Sequence, residues 1–221
     1  MRKTLWIAVS LALSLTISGC SSSSGPKEET KTKALHALGG QGPAPDLYKV
    51  NFDTSKGAIV VEVHRDWAPN GADHLYELVK AGFYDGDRFF RVVRGFVVQF
   101  GINGDPATHR TWAAINIPDD RPTQANARGT LTYAATGAPN SRSTQLFINL
   151  HDNSQSLNPQ GFAPLGQVIE GMDVVDDLYA GYGEMAPGGP GPDATQLQIE
   201  GNGYLAAKFP HLDYIKKATI Q

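Results

Sequence analysis

Apolar and polar positions along the chain follow two different periods. Tyr48, Val50 and Phe52 alternate with polar neighbours, the mark of a strand with one buried face. Ser55-Lys56-Gly57 reads as a turn, and Ala58 to His64 as a second β-rich run. After Pro69 the spacing changes. Ala72, Leu75, Leu78 and Val79 fall at helical intervals, which predicts a helix over 70–81 with Gly82 as its stop. Residues 130–134, 144–150 and 163–169 are further strands, and 171–178 is a second helix with Met172, Val175 and Leu178 on one face. Residues 183–192 are rich in Gly and Pro and read as a loop; Tyr204 to Phe209 is a short helix closed by Pro210. Strands dominate, with two well-separated longer helices. The pattern predicts a mainly β domain over 47–221, a closed antiparallel β-barrel capped by two helices, closure being the way such a sheet removes its exposed edges.

The N-terminal 46 residues are of a different kind. Arg2 and Lys3 precede an apolar run from Leu5 to Ile17, and Ile17-Ser18-Gly19-Cys20 places small residues before the chain's one cysteine. An ordinary secretory signal or an N-terminal membrane helix would share the apolar run, but 13 residues is short for a span. The segment resembles a bacterial lipoprotein signal peptide over residues 1–19, which implies cleavage before Cys20 and lipidation of that residue. Residues 20–46 hold a serine run, a charged stretch from Lys27 to Lys33, and Gly39-Gly40-Gln41-Gly42-Pro43-Ala44-Pro45. They read as a flexible tether of some 25–30 Å root-mean-square reach.

Composition narrows the function. Formal net charge is −3, and without Arg2 and Lys3 it is 17 basic against 22 acidic residues, or −5. That offers no electrostatic reason to expect nucleic-acid binding. One cysteine excludes an intrachain disulfide. The six histidines form no H-x-x-x-H and flank no cysteine pair, so no metal or cofactor is expected. No G-x-S-x-G is present, which removes the simplest hydrolase reading.

The candidate chemistry sits in three blocks. In Phe89-Phe90-Arg91-Val92-Val93-Arg94-Gly95-Phe96-Val97-Val98-Gln99-Phe100-Gly101, two short strands meet at Gly95, and Arg91, Phe96 and Gln99 can share a face. Thr144-Gln145-Leu146-Phe147-Ile148-Asn149 and Gly161-Phe162-Ala163-Pro164-Leu165-Gly166 follow. The pattern F-x-R-x-x-x-G-F-x-x-Q, followed by Q-x-F-I, resembles the cyclophilin family of peptidyl-prolyl cis-trans isomerases. The resemblance implies a cyclophilin-like barrel, catalysis without a cofactor, proline-containing polypeptides as partners, and a monomer. It makes Asp213 to Ile220 the last barrel strand, and residues near 183–212 an insertion.

The resemblance also assigns roles. Arg91 matches the catalytic arginine, and Gln99 the glutamine that orients it and meets the substrate carbonyl. Phe96, Val97, Phe147, Leu157 and Phe162 match positions lining the proline pocket, with Phe162 where many members carry histidine. Ala134, Ala135 and Gln145 match the segment that grips the peptide. The chain departs from the family at Ser156, where an aromatic often stands, so cyclosporin binding does not carry over. It departs again at Val97, where methionine is usual, and at residues 105–112, which replace a glycine-rich loop. Each aromatic taken alone would be ordinary core. With the N-terminal reading, the expectation is an isomerase of envelope proteins, held by lipid on the periplasmic face of the outer membrane in a two-membrane bacterium. A lipid-anchored proline-peptide-binding module with little catalysis is the competing expectation.

Overall fold

The computed structural model describes residues 42–221. The lipoprotein-type signal, Cys20 and nearly all of the tether lie outside the described residues. Eight strands form one antiparallel sheet: β1 (Leu47–Thr54), β2 (Ala58–His64), β3 (Arg91–Val93), β4 (Val97–Phe100), β5 (Thr130–Tyr133), β6 (Leu146–Asn149), β7 (Pro164–Glu170) and β8 (Ile215–Ile220), in the order β3-β4-β6-β5-β7-β2-β1-β8. The predicted alternation of β1 is visible in its burial, with Tyr48, Val50 and Phe52 inside. The central strands β5 and β6 are buried on both faces. Their polar residues are satisfied: Asn149 Nδ2 donates to Thr130 Oγ1 (2.9 Å), and Thr132 Oγ1 donates to Asn126 Oδ1 (3.1 Å).

The expected closed barrel is corrected to an open, curled sheet. No ladder joins the edge strands β3 and β8 among the described residues; the irregular segment before β3 meets the start of β8 through one isolated bridge, Arg88 to Tyr214. Length is the reason. β3 has three residues, and the backbone before it is spent on single bonds, Phe89 N–H to the Asp213 carbonyl (3.0 Å) and Ile215 N–H to the Asp87 carbonyl (2.8 Å).

Two capping helices are also too few. The helix over 70–81 is observed as α1 (Pro69–Lys80), with Leu75, Leu78 and Val79 buried. Pro69 opens it, where a missing N–H costs nothing. Ala68 has no capping side chain, and Asp120 takes over from 50 residues away, accepting from Asn70 N–H (3.1 Å) and Gly71 N–H (2.8 Å). The second predicted helix is the short α4 (Met172–Asp176). Among the described residues four more helices are present: α2 (Pro106–Ala113), α3 (Ser154–Leu157), α5 (Ala194–Glu200) and α6 (Asn202–Lys208), the last over the short helix expected at Tyr204 to Phe209, besides a 3₁₀ turn at Asn158–Gln160. α2 is what stands at 105–112, where the sequence departs from the family's glycine-rich loop. Asp105 caps it by accepting from Ala107 N–H and Thr108 N–H, and Pro106 supplies its first turn.

The residues around α5 and α6 form a packed layer. Leu197 on α5, Leu205 on α6 and Leu212 bury against Phe90 and Ile102, with Tyr182, Met185, Tyr204 and Phe209 around them. Each fully buried Leu, Ile or Phe here contributes roughly 1.5–3 kcal/mol of transfer free energy. Asn202 pins the layer to the rest of the domain, its Nδ2 donating to the Gly86 carbonyl (3.0 Å) and its N–H to the Gly104 carbonyl (2.9 Å).

Candidate active site

The site is built on the hairpin of β3 and β4. Their register pairs Arg91 directly with Gln99, so both side chains leave the same face of the sheet. Gly95 turns the hairpin at φ +73°, a conformation that favours glycine. Phe96 lies in that turn rather than on a strand, yet its ring sits 5.4 Å from the Arg91 guanidinium carbon. β4 continues against β6, which places Phe147 opposite Gln99.

Hydrogen bonds fix the polar rim. Arg91 Nη1 donates to Gln99 Oε1 (2.9 Å), and Gln99 Nε2 donates to Gln145 Oε1 (2.9 Å). The other edge of the guanidinium is forked. Nε donates to Glu184 Oε1 (2.7 Å) and Nη2 to Glu184 Oε2 (2.6 Å). Arg91 holds the Glu184 carboxyl below its ordinary range, against a smaller opposing effect of burial.

Beside this rim lies a partly open cavity of about 140 Å³, lined by Arg91, Phe96, Val97, Gln99, Ala134, Ala135, Phe147, Leu157 and Phe162. Val97, Phe147 and Leu157 form a small apolar cluster with Phe96, Ala134 and Phe162 packed on it. Phe147 and Phe162 meet edge to face at 5.6 Å. Nine of the ten residues assigned to catalysis and substrate binding therefore line one cavity. The tenth, Gln145, bonds Gln99.

Two asparagines support the walls, each bonded to another asparagine. Asn153 Nδ2 donates to the Phe96 carbonyl (2.9 Å) and to Asn149 Oδ1 (2.8 Å). Asn126 Nδ2 donates to the Phe162 carbonyl (2.9 Å) and to Asn158 Oδ1 (2.9 Å). A second cavity of about 240 Å³ shares Ala135 and is lined also by Asp119, Asp120 and Arg142. Arg142 is buried, paired with Asp119, bonded to the Gly161 carbonyl (2.7 Å) and stacked 5.7 Å from the Phe162 ring. Sequence reasoning missed Arg142 and Glu184. Asp119 and Arg142 are paired only by the fold. Glu184 is one carboxylate in a Gly/Pro-rich stretch whose spacing carries no period.

A family profile described as cyclophilin type peptidyl-prolyl cis-trans isomerase/CLD matches residues 49–191. The chain belongs to this family. A peptidyl-prolyl cis-trans isomerase of Acinetobacter baylyi is 37% identical over 132 residues, covering 58% of this chain and 70% of the relative. Peptidyl-prolyl cis-trans isomerase B of Escherichia coli is 35% identical over 136 residues, covering 58% and 82%. Among solved structures, a cyclophilin-type isomerase of Cryptosporidium parvum is similar in fold, with a TM-score of 0.57 and 21% identity over 79% of this chain and 98% of that one. A Hirschia baltica cyclophilin gives a TM-score of 0.53 and 18% identity, over 79% and 77%. This cyclophilin is an enzyme, a peptidyl-prolyl cis-trans isomerase, and proline-containing polypeptides are its substrates.

Proposed function

We propose that this cyclophilin accelerates rotation about X-Pro bonds by non-covalent stabilisation of the twisted state, with Arg91 as the catalytic donor. Resonance gives the peptide C–N bond a rotation barrier of about 18–20 kcal/mol. At the twisted state the prolyl nitrogen regains a lone pair and becomes a hydrogen-bond acceptor. A catalyst then needs a donor aimed at that nitrogen, an apolar seat for the ring, and a grip on the flanking backbone. The supporting observation is the placement of the Arg91 guanidinium at the rim of a cavity walled by Phe96, Phe147, Leu157 and Phe162. Three of its five N–H donors are engaged by Gln99 and Glu184, which leaves one on each terminal nitrogen for the substrate. A charged hydrogen bond formed mainly in the twisted state contributes roughly 1.5–3 kcal/mol, or about 10- to 150-fold in rate. Gln99 keeps the guanidinium plane fixed and is close enough to the same cavity to meet a substrate carbonyl. Ala134 and Ala135 line the side along which a peptide backbone would run.

The test is exchange spectroscopy on an X-Pro peptide. Isomerisation that saturates with peptide and depends on Arg91 supports the mechanism; peptide binding without acceleration overturns it in favour of a binding module.

The location belongs to the same proposal. The Ile17-Ser18-Gly19-Cys20 sequence after a short apolar run supports a lipid anchor at Cys20. Ser21, rather than aspartate, follows the cysteine, which supports the outer membrane of a two-membrane cell, with envelope polypeptides as clients and the domain acting as a monomer.

A further inference from the structure

Among the described residues Glu184 is the one acidic side chain bonded to the Arg91 guanidinium, and its placement has structural support. Its Oε1 also accepts from Met185 N–H (2.8 Å), and its carbonyl accepts from Gly191 N–H (2.8 Å). Gly189 lies so close that an added Cβ would stand 2.7 Å from the Glu184 Cβ. Met185 then enters the small core with Phe90, Ile102, Leu197 and Leu205. The Gly/Pro-rich loop thus folds around Glu184, and the inserted helices anchor that loop to Phe90 and Ile102 beside the sheet.

This arrangement is poorly explained by stability. The Glu184 side chain is 40% exposed and that of Arg91 20%. An ion pair so open to water contributes little to folding. Glu184 is also not among the residues lining the proline cavity, so it leaves the pocket free and meets the guanidinium on its Nε edge. Arginine has four rotatable side-chain bonds, and a bidentate carboxylate restricts them in a way that a single amide acceptor does not.

We propose that Glu184 is a positioning residue for isomerisation: with Gln99 it holds the Arg91 guanidinium in a fixed plane, and the insertion serves as the arm that carries it there. The inference rests on the role assigned to Arg91. It makes the insertion part of the catalytic apparatus, acting through an arginine that is already oriented before the peptide arrives.

The experiment is a double-mutant cycle on the full chain with Glu184→Gln and Arg91→Ala. Glutamine keeps the size of glutamate but presents an amide nitrogen to one of the two arginine donors. Glu184→Gln is expected to lower kcat/KM about tenfold. Affinity for a proline peptide should change less than twofold, and the Arg91 Nε–H resonance should shift. In the Arg91→Ala background the same substitution should have no further effect, whereas a role in folding the loop would persist there. Unchanged or faster catalysis by folded Glu184→Gln overturns the inference, as does an equal loss in both backgrounds. If Arg91→Ala is itself fully active, the catalytic role of Arg91 fails and this inference with it. Loss in Arg91→Ala alone removes only the role of Glu184.

Discussion

Arg91 and Gln99 are eight residues apart in sequence and directly opposed in the β3–β4 ladder, joined by a 2.9 Å hydrogen bond from Nη1 to Oε1. The spacing in the sequence motif is therefore a statement of register. A three-residue strand, a turn at Gly95 and a four-residue strand bring two polar side chains onto one face. A one-residue slip would send one of them to the opposite face.

Arg91→Ala should leave the fold intact, because the side chain projects to the rim of an open cavity. It should reduce kcat/KM about 10²–10³-fold, the scale associated with losing one preorganised transition-state donor. Peptide affinity should fall much less, since Phe96, Phe147 and Phe162 still enclose the ring. Arg91→Lys should recover only part of the rate, because an ammonium cannot satisfy Gln99 and the Glu184 fork together. Exchange spectroscopy with circular dichroism as the folding control measures each effect. Near-wild-type catalysis by folded Arg91→Ala would refute the mechanism.

Gly101→Ala should damage the site from behind. Gly101 follows β4 at φ +104°, and an added Cβ would stand 2.6 Å from the Gln145 Cα and press on the Thr144 carbonyl. Thr144 and Gln145 would have to retreat, drawing Gln145 away from Gln99. A left-handed conformation adds about 1–2 kcal/mol of strain for a residue with a Cβ. The expected result is a destabilisation of at least about 2 kcal/mol in urea unfolding and reduced kcat/KM in the folded fraction. Wild-type stability would show that the 144–145 backbone yields freely.

The sequence revealed most where local period and chemistry coincide. β1 and α1 each bury one face, so alternation or helical spacing marked them, and β2 was marked by its run of β-branched residues. The Arg91 and Gln99 pair was legible because its spacing encodes a ladder, whereas Phe147 came only from the resemblance to the cyclophilin family. Other parts depend on contacts distant in sequence. α2 has only His109 and Trp112 buried, too little apolar pattern to mark it as a helix; the Asp105-Pro106 start was the available signal. The failure to close the barrel rests on how short β3 is. Glu184 and Arg142 gain their partners only through the fold.

Cys20→Ser should abolish lipidation and release the protein from membranes. Stable anchoring requires more than one acyl chain, which a lipidated N-terminal cysteine can carry. The cavity beside Arg91 is lined only by residues from Arg91 to Phe162, none of them from the segment between Cys20 and Leu47 that we propose as a tether. A chain beginning at Leu47 should therefore keep the isomerase rate of the mature protein. Fractionation and exchange spectroscopy read the two effects separately. Unchanged membrane association in Cys20→Ser would refute the anchor, and a large loss of rate in the folded shorter chain would implicate the tether.

Acid should destabilise the domain through His74. This residue lies on α1, is 1% exposed, and packs against the rings of Trp112 and Tyr133. Burial pushes its imidazole down to about 4, with the backbone of Ser143 opposing in part. The unfolded chain binds this proton near pH 6.5 and the folded chain only near 4. The neutral-imidazole contribution to stability is therefore complete above about pH 6.5 and is lost progressively as pH falls toward 4. A difference of that size corresponds to about 3 kcal/mol over the window. Carboxylates titrate in the lower part of the same range, so the informative comparison is with His74→Leu, which fills much of the same space and has no proton to bind. Urea unfolding at pH 7.5 and pH 4.5 should show the wild type losing about 2–3 kcal/mol more than His74→Leu. Parallel losses in the two proteins would show that His74 takes up its proton without unfolding α1 from the sheet.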